Sequence, residues 1–343
     1  MTFEWRPRRY FGSPRSHELH QLYPPIDLHA DTLMWMRSVG YDIGRRHQPL
    51  LPRSAWCGHL DLPRLNDINA GAQFFGIATS PIKFSGLYRL ANEQIDQLKF
   101  ACDRYPQRLM LAQDTDDVKR ANSSGKVAAF LSLEGAHFLE GDIKKLYRLA
   151  ERGLRTFGLV HFTPNAAAWP NFGLMTDDRA GLSNFGRRLV YECDRLGILI
   201  DLAHANLPAF MQVCAMSHRP VIVSHTGVKG VCPHRRNIDD EQLRAVAETG
   251  GVVGIMYEPR YLGGADLAAV MAHLRHAINV AGEEHVALGS DWDGMITPVR
   301  GLEHIGKLPN LTEAMVNAGW SEKRIGGILR ENILRVLREM PIR

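Results

Sequence analysis

Eight short apolar runs recur along this sequence, each separated from the next by a longer stretch, and that alternation leaves few architectures open. The runs are residues 24–31, 71–80, 127–135, 155–162, 197–204, 220–227, 250–257 and 285–294. Each is nearly continuous in apolar character and most are bounded by Gly or Pro, as expected for strands buried on both faces of a parallel sheet. Helical periods lie between them. The clearest runs through Leu182, Phe185, Leu189, Cys193 and Leu196, and another through Ile325, Ile328, Leu329, Ile333, Val336, Leu337 and Met340. Eight alternations of strand and helix favour a (β/α)8 barrel over a doubly wound sheet. No linker rich in Pro, Gly or Ser divides the chain. The expected organisation is an N-terminal arm or helix over residues 1–22 and one barrel domain over 23–343, with a long loop at 36–58 after the first strand.

In a parallel barrel the loops that follow the strands build the active site at one face. Residues of metal-ligand type end these runs: His29 and Asp31, Glu134, His161, His204, His225 and Asp291. A lone His or Glu at a strand end is ordinarily structural. Several at equivalent positions on one barrel point to a metal centre. His29 and Asp31 are one residue apart, so on an extended strand end both side chains point the same way and can grip one ion.

Five ligands, His29, Asp31, Glu134, His204 and His225, exceed the three that a catalytic zinc takes from a protein, so two metals are expected. Only a carboxylate has two oxygens to share. Glu134 is therefore the expected bridge, with His29 and Asp31 on one ion and His204 and His225 on the other. A water shared by both ions becomes a nucleophile near neutral pH. Asp291 is placed to pass its proton to a departing amine, with Asp293 as a competitor. His161, outside both ligand groups, is a candidate donor to the carbonyl oxygen, the alternative being a core histidine bonded to backbone. Arg236 offers a fork for a substrate carboxylate, ahead of Arg235 beside it. The remaining histidines draw no such set. His273 and His276 have metal-like helical spacing but read as a solvated face, and His17, His20 and His47 are expected in loops without partners.

A net charge of +4, without a basic stripe, makes nucleic acid an unexpected partner. The five cysteines form no CxxC pair and read as reduced thiols in a cytoplasmic protein. Arg8-Arg9 is followed by no apolar signal region, and no uncharged apolar run reaches the ~18 residues a bilayer requires, so membrane insertion is not expected.

Taken in order, these segments are similar to the membrane (renal) dipeptidase family, peptidase M19 of the amidohydrolase superfamily, from about residue 24 onward. DLHADTL at 27–33 resembles the family's opening His-x-Asp segment, GAQFFG at 71–76 its second strand, and LSLEGAH at 131–137 the segment of its bridging glutamate, here Glu134. GLVHFTPN carries the substrate-binding histidine, His161. The 181–206 stretch leads to the metal histidine His204, VIVSHTGV supplies His225, HRRNIDDEQL supplies Arg236, GSDWDG supplies Asp291, and ENILRVL resembles the closing helix.

The resemblance implies a binuclear zinc barrel that hydrolyses dipeptides with a free C-terminal carboxylate, often as a homodimer. Many bacterial relatives accept a D-residue at that end. DLHADTL departs from the family's usual Gly-His-Asn-Asp-Leu-Pro run at Leu28, Ala30, Thr32 and Leu33, beside the substrate surface. MYEPRYLGGADL, after the seventh run, is where specialisation toward another amide or a peptide-derived metabolite would show.

Overall fold

The computed structural model describes residues 11–47, 57–80, 83 and 85–341. Nine strands, all parallel, form one sheet: β1 (Ile26–Ala30), β2 (Ala72–Ile77), β3 (Leu109–Leu111), β4 (Val127–Leu133), β5 (Leu154–Gly158), β6 (Leu199–Asp201), β7 (Ile222–Thr226), β8 (Val252–Ile255) and β9 (Val286–Leu288). The order β2-β1-β9-β8-β7-β6-β5-β4 closes on itself through β2 and β4, which pair from Ala72 opposite Ala128 to Ile77 opposite Leu133. The result is the (β/α)8 barrel that the eight apolar runs predict.

The ninth strand, β3, was not anticipated. It pairs with Val127–Ala129, whereas β5 pairs with Leu131–Leu133 further along β4. Since β2 occupies the other edge of β4, β3 and β5 divide one edge between them, and β3 stays outside the barrel. Three residues carry too little periodicity to announce a strand.

One end of the barrel is floored by the C-terminal helical segments Glu322–Gly326, Gly327–Glu331 and Asn332–Arg338, the middle one a π-helical turn. Ile333, Val336, Leu337 and Met340 join Ile26, Leu28, Phe74, Phe130, Leu199, Ile222, Val252 and Ala287 of the strands in one apolar cluster. Phe74 and Phe130 stack there with ring centroids 4.5 Å apart, each ring fully buried. Such burial stabilises the fold by roughly 1.5–3 kcal/mol per side chain. The backbone just ahead of the strands is satisfied as well. Asn332 Nδ2 donates to Val286 O (2.8 Å), Arg335 Nη1 to Gly250 O (2.5 Å) and Arg330 Nη1 to Pro24 O (3.2 Å), while Arg155 donates to Gly197 O and Met340 O.

Several expectations for outlying residues are corrected. His20 is not in a loop. It lies on the helix Pro14–Leu22, fully buried, with Nδ1 at 3.0 Å from Ile68 O and Nε2 at 2.8 Å from Thr312 Oγ1. His17, on the same helix, bonds Phe11 O, and His47 bonds Asp42 O. His273 is not on a solvated face either. It sits on the stripe of Val270, Leu274 and Ala277, is fully buried, accepts from Val228 N and contacts Leu262 O. His276 does pair outward, with Asp240. The start of the predicted 36–58 loop is the last turn of the helix Thr32–Val39, and its residues 48–56 lie outside the described residues, as do 1–10 of the N-terminal arm.

Candidate metal centre

The end of the barrel opposite the floor gathers every strand-end residue singled out above. β1 reaches it through a bulge, for Asp27 to Ala30 spans three residues opposite the two from Gln73 to Phe75. The extra residue turns His29 toward the centre of the mouth even though Leu28 joins the inner apolar cluster. Simple alternation therefore does not place the His29–Asp31 pair, and Asp31 lies beyond the strand, at the N-terminus of the helix Thr32–Val39. Below them Asp27 ties three strands together, accepting from Ser290 N (2.7 Å), Ser290 Oγ (2.7 Å) and Gln73 Nε2 (2.8 Å). β2 contributes space. A Cβ at Gly76 would stand 2.3 Å from Asp31 Oδ1 and 3.0 Å from His29 Cε1.

Glu134, one residue past β4, is central. Its Oε1 is 3.2 Å from His204 Nε2, 3.5 Å from His225 Nε2 and 3.7 Å from His29 Nε2, and its Oε2 is 3.6 Å from His161 Nε2. His29 Nε2 is 3.3 Å from Asp31 Oδ1, and the Nε2 atoms of His204 and His225 are 3.0 Å apart. Two nitrogens held about 2.0–2.1 Å from one tetrahedral ion would be roughly 3.3 Å apart. Three overlapping groups have ligand atoms within 4.8 Å of one another: His29 with Glu134 and His225, Glu134 with His161 and His204, and His29 with Asp31 and Asp291. Glu134 alone joins the two histidine groups to each other. The sharp division between ligands and the pair His161 and Asp291 is less visible in space than in sequence.

These residues fit a metal. Both ring nitrogens of His29, Asp31 Oδ1, Glu134 Oε2 and His204 Nδ1 are buried with no hydrogen-bond partner among the described residues, a density of orphaned polar atoms that a folded interior does not normally carry. Burial opposes charge on His29, yet the carboxylates of Asp31 and Glu134 outweigh it and push the imidazole up to about 10. A field that draws a proton so strongly also favours a cation. His204, His225 and His161 are held well below the usual histidine range, first by burial and then by cationic neighbours including Arg236, and so remain neutral as ligation requires.

His225 is also oriented. Ser224 Oγ donates its single proton to Asp201 Oδ2 and must therefore accept from His225 Nδ1 at 2.8 Å, which leaves the lone pair on Nε2, facing Glu134. Asp201 is fixed in turn by Ser224 N (2.8 Å) and Ala203 N (3.0 Å). Sequence reasoning missed this pair, although Ser224 adjoins a ligand and Asp201 ends β6.

Asp291 and Asp293 separate cleanly. Asp293 is buried with Oδ2 accepting from Thr32 Oγ1 (2.7 Å) and Oδ1 from His59 N (2.9 Å), so it clamps the loops. Asp291 lines the cavity, and burial, reinforced by Asp31, raises its carboxyl to about 8 against the pull of His29. His204, Asp291 and Asp293 have φ of 68°, 61° and 65°, a left-handed conformation uncommon for residues other than glycine and often found at functional sites.

Arg236 is 1% exposed. Its Nη2 donates to His225 O at 2.9 Å, while Nε and Nη1 have no partner and the residue lines the same cavity of about 320 Å³. Arg235 points elsewhere, its Nη2 donating to both carboxylate oxygens of Asp178 at the surface. The segment MYEPRYLGGADL contributes Met256, Arg260 and Tyr261 to the walls, and residues that the sequence did not single out complete them: Met34, Phe162, Phe172, Met295 and Ile296. Loop conformation puts them there, and no local pattern marks it.

Comparison with known proteins agrees with this geometry. The membrane dipeptidase family (peptidase family M19) matches residues 14–341. The dipeptidase aclJ of Aspergillus oryzae is 31% identical over 328 residues, 92% of this chain and 77% of the relative. Among solved structures, the dipeptidase AC, a metallopeptidase of family M19, superposes with a TM-score of 0.82 at 28% identity, covering 92% of this chain and 98% of that one. A metallopeptidase from Rhodobacter sphaeroides, liganded with a phosphinate mimic of the dipeptide L-Ala-D-Ala, gives 0.81 at 27% identity, covering 93% and 99%.

Proposed function

This chain belongs to the membrane dipeptidase family, peptidase family M19, hydrolases that act on peptide bonds, and on that footing we propose that it is a binuclear zinc dipeptidase. The observation that carries the reading is the convergence of His29, His204 and His225 on the single carboxylate of Glu134, with Asp31 Oδ1 3.3 Å from His29 Nε2. His29 and Asp31 would hold one ion and His204 and His225 the other, with Glu134 available to both. When bound, the zinc ions lower the pKa of a water and polarise the scissile carbonyl.

The protein's own groups supply the remaining steps. The unpartnered Nε and Nη1 of Arg236 take the substrate's free C-terminal carboxylate, a charge-assisted fork that fixes the peptide's direction. Neutral His161 then donates to the carbonyl oxygen as negative charge develops there. Asp291, on the cavity wall beside His29 and Asp31, accepts the proton of the attacking water and returns it to the departing amine. The Rhodobacter ligand, a mimic of L-Ala-D-Ala, supports acceptance of dipeptides with a D-residue at the C-terminal position.

Zinc-loaded protein should cleave members of a panel of L,L and L,D dipeptides and lose that activity when the C-terminal carboxylate is amidated. Turnover confined to amides that are not dipeptides, or indifference to amidation, would overturn the reading.

A further inference from the structure

The cavity has two rims, each bonded to a different part of the site. On one, Thr32 Oγ1 and Trp35 Nε1 donate to Asp293 Oδ2 and Asp293 O, both at 2.7 Å, clamping the helix Thr32–Val39 to the segment after β9. Met34 on that helix and Met295 and Ile296 after Asp291 line the cavity. On the other, Asn171 N donates to His204 O (2.7 Å) and Asn171 Nδ2 to Arg236 O (3.3 Å). There Phe172 meets His234 and Tyr261 edge-on, with centroids 5.1 and 6.1 Å away. The aromatic rim thus belongs to Arg236, and the methionine rim to Asp31 and Asp291.

Tethered at Arg236 by its carboxylate, a dipeptide would set its C-terminal residue nearer the aromatic rim and its N-terminal residue nearer the rim that follows Asp31 and Asp291. We propose that Met34, Met295 and Ile296 select dipeptides whose N-terminal residue carries a large apolar side chain. The inference rests on the dipeptidase reading and narrows it to a substrate class.

Two features of this rim support it. Met295 is held at φ 59°, where Gly or Asn would sit more easily, yet the position carries a long apolar side chain that is 45% exposed at the cavity. Covering that side chain with an apolar substrate group removes it from water. The three residues named on this rim, Met34, Met295 and Ile296, are all apolar, and Arg260, the cavity's other arginine, is engaged through Nε with Glu258. Unbranched thioethers adapt to different shapes, so the expected selectivity is for Leu, Met and Phe as a class.

The test measures kcat/KM on X-Ala dipeptides with X as Ala, Leu, Met, Phe, Glu or Lys, alongside inhibition by phosphinate mimics of Ala-Ala and Leu-Ala. Leu, Met and Phe should exceed Ala by about 10-fold or more, with Glu and Lys below Ala. In the double variant Met34→Ser, Met295→Ser the Leu-to-Ala ratio should fall below about threefold, in turnover and in phosphinate binding alike. A ratio near one in the parent, or one that survives the double substitution, overturns the assignment of this rim. Cleavage of none of the dipeptides would instead overturn the dipeptidase reading beneath it.

Discussion

At the floor of the barrel the carbonyls ahead of the strands meet donors from Asn332, Arg335, Arg330, Arg155 and His20, over an inner layer of stacked aromatic and aliphatic side chains. At its mouth, His29, Asp31, Glu134, His204 and Arg236 are equally buried, yet each keeps polar atoms with no partner, and His204 and Asp291 adopt left-handed backbone. One sheet carries both ends. The floor pairs most of its polar groups internally, the buried Arg155 Nε being an exception, and holds the fold together. The mouth is preorganised for groups that come from outside, and its unsatisfied atoms are the physical mark of function.

Substitutions should therefore separate chemistry from stability according to the end they strike. The largest effect is expected at the mouth. Asp291→Asn should lower kcat by roughly 10²- to 10⁴-fold while zinc content and unfolding midpoint stay near those of the parent. Loss of zinc together with activity would make Asp291 chiefly a ligand, as its place beside His29 and Asp31 would permit.

A floor group should do the reverse. Burial, partly offset by the bond to Ile68 O, lowers His20 to about 4, so it is uncharged when folded. Below pH 6.5 the unfolded chain takes up a proton that the fold refuses. Its contribution is thus complete above pH 6.5 and is lost as pH falls toward 4, for about 3 kcal/mol in all. Urea unfolding of the metal-free protein at pH 7.5, 6 and 5 should show this decline in the parent and a shallower one in His20→Gln. Equal slopes would mean that His20 is protonated in the fold.

The smallest expected effect lies between the two ends, where Asp201 and Ser224 orient His225. Ser224→Ala should weaken zinc binding by about 10- to 100-fold in a chelator competition, with little change in the melting temperature of the metal-free protein. Unchanged zinc affinity would reduce the pair to a structural bond.

Much of the mouth was legible because a parallel barrel places the end of every strand at one face, so a run ending in His or Glu already tells where that side chain goes. Arg236 could be read for a related reason, as a fork shortly after β7. What escaped depends on contacts between distant segments. The bulge in β1 appears only once β1 is registered against β2, and the clamp on Asp293 needs Thr32 and His59 from another loop. His273 differs for another reason: the absence of converging ligands argues against a metal but not for solvent, and the stripe of Val270, Leu274 and Ala277 carries it inward.

The central claim, that Glu134 joins two metal positions at the mouth, is tested most directly by titrating the metal-free protein with zinc and counting the ions bound. The account predicts about two ions per chain in the parent and no more than about one in Glu134→Ala. Two ions retained at parental affinity in Glu134→Ala would contradict it.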